Sequence, residues 1–153
     1  MSEEQTTAVV QTYTQVQSAL PPVPDLTAFS AANQTAISQL AISYCASLVN
    51  TPSLRTAFFG SGFDPTQGGN YFSAPINSGS NRDTVINSLY QNIVGGTITT
   101  NILTQPSFAT VQTELDALIT SLTAAYPSTP NRAGVVTEAA CAALLGSASS
   151  LIQ

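Results

Sequence analysis

The chain has 153 residues, enough for one ordinary domain with a buried core. Only 7% of them are charged, the net charge is −5, and there is no histidine and no lysine. Nucleophilic triads, general-base histidines, Schiff-base lysines and most zinc sites are thereby excluded, and the scattered arginines lack the clustering that nucleic-acid binding needs.

The predicted elements are helical. Val9, Tyr13, Val16 and Leu20 recur at helical spacing until Pro21, Pro22 and Pro24 stop them. This first helix, within residues 1–20, is expected to be semi-detached before the proline hinge. In the second helix Ile37, Leu40, Ala41, Tyr44, Cys45, Leu48 and Val49 form a stripe of more than three turns that ends at Asn50. Thr51-Pro52 reads as a new N-cap with proline at the first helical position, and opens a short helix that carries Leu54, Arg55, Phe58 and Phe59.

Residues 60–80 are rich in Gly, Ser, Asn and Pro and read as a long loop. Phe63, Tyr71 and Phe72 lie within it, so it is expected to fold back over the core as an Ω-type loop. A helix then starts near Asn81 with Asp83 in its first turn, carries Val85, Ile86, Leu89, Tyr90 and Ile93, and ends at Gly95-Gly96. Thr97 to Leu103 reads as an extended connector. The next helix follows Gln105-Pro106, with Val111, Leu115, Leu118, Ile119, Leu122 and Tyr126 on one face. The last starts around Thr129-Pro130 and runs to the C-terminus. Its alanines (Ala139, Ala140, Ala142, Ala143) let another helix approach closely, which places it in the middle of a bundle. The expected fold is thus all-α: a single domain over 1–153, a bundle of about five helices with a long aromatic, Gly-rich loop.

Cys45 and Cys141 each sit on an apolar helical stripe. If those faces meet, a disulfide closes a long loop and contributes about 4–5 kcal/mol by the chain-entropy estimate. The alternative is two separate buried thiols that act as small hydrophobes. Neither has a cation or histidine beside it in sequence to make a reactive thiolate. Asp64, Gln67 and Asn70 offer oxygen ligands but not the alternation of a calcium loop, and Asp64 reads better as a turn cap or an arginine partner. Arg55, Arg82 and Arg132 read as anchors that hold loops or helix starts through backbone carbonyls or the few acids. No metal or cofactor is expected. No apolar run approaches the roughly 18 residues of a membrane span.

The segment from Gln34 to Val49, Arg55 with Phe58-Phe59 and the following Gly-Phe-Asp, Asn81-Arg82-Asp83, and the segment from Ala139 to Gln153 together resemble a helical C-terminal segment of large, poorly characterised proteobacterial proteins, many of which carry a LamG domain. The likeness runs in the same order from about Val9 to Gln153. It implies an extracellular, cell-surface or periplasmic bacterial context and no enzymatic activity, and it favours the bonded cysteine pair. Relatives often carry a second cysteine pair before the last helix, and this chain does not. The acidic, polar start at Met1 is unlike a signal peptide, so an exported protein is expected to appear here in mature or excised form.

Two functions follow as expectations. The first is a non-enzymatic structural or interaction module that binds a protein partner or a second copy of itself. The second is a helical pocket for a small apolar ligand, with Phe58, Phe59, Phe63, Tyr71 and Phe72 as its lid over a cavity beneath the loop.

Overall fold

Caps and prolines divide the chain into helices much as their chemistry dictates. The structure is a computed structural model and describes residues 3–19, 31–95 and 106–148. It contains six helices: α1 (Glu3–Ala19), α2 (Ala31–Asn50), α3 (Pro52–Phe59), α4 (Asn81–Leu89), α5 (Phe108–Ala125) and α6 (Arg132–Ala148), and no strand among the described residues. The expected all-α fold of about five helices is thus shown, the sixth being the short α3. The proline hinge at Pro21 to Pro24 and the connector from Thr97 to Leu103 lie outside the described residues.

Local chemistry sets each boundary. Asn50 ends α2 by donating its amide to the Ala46 carbonyl at 2.8 Å. Thr51 has the extended backbone of a cap and Pro52 follows it, yet its hydroxyl donates back to the Ser47 carbonyl at 2.6 Å and leaves the start of α3 without a side-chain cap. Ser80 and Asp83 form a capping box on α4, and Ser107 caps α5 by accepting from the Thr110 N–H.

Two boundaries differ from expectation. The end of α4 widens into a π-helical turn, Tyr90–Val94, before Gly95 turns left-handed at φ 82°. The last helix starts at Arg132, just beyond Pro130, because the Asn131 carbonyl accepts its first helical bond, from Val135 N–H at 3.1 Å.

The core gathers buried side chains from α2, α4, α5 and α6, among them Val49, Val85, Ile86, Leu89, Ile119 and Val136. Helix α6 touches α2, α4, α5 and the π turn, so it occupies the centre. Cys141 and its neighbour Ala140 on α6 and Cys45 on α2 are small and buried, which lets these two helices approach closely. Cys45 and Cys141 form a disulfide there, with a Cα–Cα distance of 5.9 Å across a sequence separation of 96, and both are fully buried.

The 60–80 loop is packed into this core. Phe63 and Phe72 are buried, and a run of ring contacts links Phe58, Phe59, Phe63, Tyr71 and Phe72 at centroid distances of 4.7, 4.7, 6.0 and 5.0 Å. The loop also caps α6, whose first-turn N–H groups at Ala133 and Gly134 donate to the carbonyls of Gln67 (2.9 Å) and Pro65 (3.0 Å). A Cβ on Gly134 would lie 3.0 Å from the Pro65 carbonyl oxygen, so a larger residue would require the loop backbone to give by a few tenths of an ångström.

Helix α1 is held differently. It rests mainly on α2, none of its described side chains is buried, and Thr12 Oγ1 lies 3.3 Å from Ser43 Oγ.

Candidate ligand-binding groove

The apolar stripe of α2 is too wide for one neighbour. Cys45, Leu48 and Val49 enter the core, whereas Ile37, Leu40, Ala41 and Tyr44 recur at i, i+3, i+4 and i+7 along a second face. That second face forms one wall of a groove of about 690 Å³. Val9, Val10 and Tyr13 of α1 form the opposite wall. Phe58 of α3, Asn92 and Ile93 of the π turn, and Leu145 of α6 complete the lining. Size and composition fall within the range of small-molecule sites, which are concave, mostly apolar and furnished with few polar groups.

Among the described residues no charged side chain lines the groove. Its polar groups are the Asn92 amide and the phenols of Tyr13 and Tyr44, which are 54% and 45% exposed. Asn92 Nδ2 donates to the Phe58 carbonyl at 3.1 Å and so ties the π turn to the end of α3.

The expected lid is corrected by this placement. Of its five aromatics only Phe58 borders the groove; Phe59, Phe63 and Phe72 are buried core, and Tyr71 is half-buried, which raises its phenol above 10.0. The loop gives two carbonyls to the first turn of α6, and the groove is lined instead by residues of α1, α2, α3, the π turn and α6.

The remaining candidates hold the frame together. Arg55 donates to the Val49 carbonyl at 2.9 Å. Arg82 donates from Nε and Nη2 to the Phe72 carbonyl, forms an ion pair with Asp116, and reaches Thr120 Oγ1 at 2.9 Å, so it fastens the loop to α5. Arg132 gathers the carbonyls of Thr123, Tyr126 and Pro127. Asp64 accepts from Gln67 Nε2 and from the Thr66 hydroxyl and N–H, bonds that lower its pKa below 3.8, and it closes a turn. Among the described residues no group of three or more acidic or cysteine side chains is placed to hold a metal ion.

Asn92 and the groove face of α2 were not singled out by sequence reasoning, although the unusual width of the α2 stripe carried the signal for a second contact. No protein-family model matches the chain, and no curated protein or solved structure resembles it significantly.

Proposed function

We propose that the domain is a non-enzymatic binding module of an exported bacterial protein and that the groove between α1 and α2 takes a small apolar molecule. The observation that carries this reading is an uncharged cavity of about 690 Å³ walled by two helices and set on a covalently fastened frame. A disulfide between two buried helices suits an oxidising compartment, and among the described residues no helix is long and apolar enough to cross a membrane. The sequence likeness to a C-terminal segment of surface proteins agrees with such a setting. Titration with the neutral dye Nile red tests the site. Saturable binding of one dye per chain is expected, with Leu40→Arg weakening it about tenfold or more by placing a charge in the apolar wall. Absence of saturable binding removes the reading.

Exposed apolar side chains support a second reading, a protein partner or a second copy. Ile42 is 60% exposed on α2, and Val10, Tyr13 and Tyr44 border the groove mouth. Light scattering across a concentration series tests self-association, and a monomer at every concentration removes it.

A further inference from the structure

The two walls of the groove differ in how they are anchored. Phe58, Ile93 and Leu145 pack against the buried core cluster, and α2 is bonded to α6 through Cys45. No described residue of α1 belongs to that cluster. Val10 and Tyr13 of α1 line the groove and are still each 54% exposed, and α1 lies outside the ring that Cys45 and Cys141 close. A segment with few buried apolar contacts opens at a free energy far below that of the whole domain.

Off its seat, α1 has little to keep it helical. It is rich in β-branched residues (Thr6, Thr7, Val9, Val10, Thr12 and Thr14), which lower helix propensity. Its helical state therefore depends on packing against α2, as it does for most helices in folded proteins. Undocking and melting of α1 are then one event, and that event removes one wall of the groove. A molecule that touches Val9 and Tyr13 on one wall and Leu40 and Tyr44 on the other binds the docked state in preference. The coupling is reciprocal: an occupied groove holds α1 down, and a docked α1 completes the site.

We propose that α1 is the movable wall of the groove, leaving its seat as a unit while α2 to α6 stay folded, and held in place when the groove fills. This proposal rests on the groove being a ligand site. Amide hydrogen exchange of the oxidised full chain, read residue by residue by NMR with and without Nile red at ten times its Kd, tests it. In the dye-free protein the interior amides of α1 are expected to share one protection factor, about 100-fold or more below that of α6. Nile red is expected to raise the α1 protection about tenfold. Protection of α1 equal to that of α6, or graded inwards from its two ends as in simple fraying, overturns the proposal while the groove itself stands. Bound dye that leaves α1 protection unchanged overturns it too. If Nile red binds nowhere on the chain, the groove reading falls and this proposal with it.

Discussion

Helix α2 packs against α6 and against α1, and it meets these two in opposite ways. Towards α6 it presents Cys45, whose small side chain lets the backbones approach to a Cα–Cα distance of 5.9 Å, where it bonds Cys141. Towards α1 it presents Leu40 and Tyr44 to Val9, Val10 and Tyr13, and a groove remains between them. Apolarity is similar on both faces; side-chain size differs. Small residues allow closure and large ones leave a gap, so the same helix is fastened on one side and walls a groove on the other.

Removal of the staple is the largest way to break this contrast. Replacing both cysteines by alanine is expected to lower unfolding stability by about 4 kcal/mol, measured by urea denaturation of the variant against the oxidised wild type. A loss below about 1 kcal/mol would mean that packing alone fastens α2 to α6.

Core truncation sharpens the comparison. Leu89→Ala removes a fully buried side chain and is expected to cost about 3 kcal/mol. Val9→Ala, on the half-exposed α1, is expected to cost less than about 1 kcal/mol. Similar losses in the same denaturation measurement would show that α1 is as firmly integrated as the core.

The smallest effect concerns pH at the α2–α6 contact. Burial raises the Glu138 carboxyl above 4.5, against the opposing bond from Asn50 Nδ2 at 2.7 Å. A raised acid binds its proton more tightly in the folded state, so this group stabilises the fold at low pH and loses that contribution as pH rises through its folded pKa. Asp83 runs the other way. Burial alone would raise it, but the N–H groups of Asn77, Ser80 and Ser78 together outweigh burial and hold it below 3.8. Its contribution is present above about 3.8 and disappears as pH falls through its folded value. Glu138→Gln is therefore expected to raise the melting temperature by about 1–2 °C at pH 7 and to leave it unchanged near pH 3, with the acid-side decline from Asp83 intact. A melting temperature lower than wild type at pH 7 would reverse the sign argued for Glu138.

The fold was legible in the sequence because the stripes of α2, α4, α5 and α6 repeat at helical spacing and all serve one core. The cysteines were legible as a pair on two such stripes, although whether those stripes met depended on tertiary packing. The groove was less accessible for a physical reason. Periodicity assigns Ile93 to the same face as Leu89, where it packs against the core, and nothing in that periodicity tells that it also borders the groove. The aromatics of the 60–80 loop drew attention as a lid because large rings in a polar segment need a surface to cover. What fixes them is the demand of α6 for carbonyl partners at its first turn, met by Pro65 and Gln67, and nothing in local sequence announces that demand. The wide stripe of α2 was visible, but width alone does not say which neighbour stands off.

The disulfide also divides the molecule mechanically. Tension applied along the chain from outside passes from Cys45 to Cys141 through the sulfur bridge and bypasses everything between them. The aromatic loop, α3, α4 and α5 lie inside that covalent ring and carry no load. The groove straddles its border: α1 and the α2 residues Ile37, Leu40, Ala41 and Tyr44 all precede Cys45, and Leu145 follows Cys141. The groove walls outside the ring are therefore the part a pull reaches first, while the ring behind them keeps its shape.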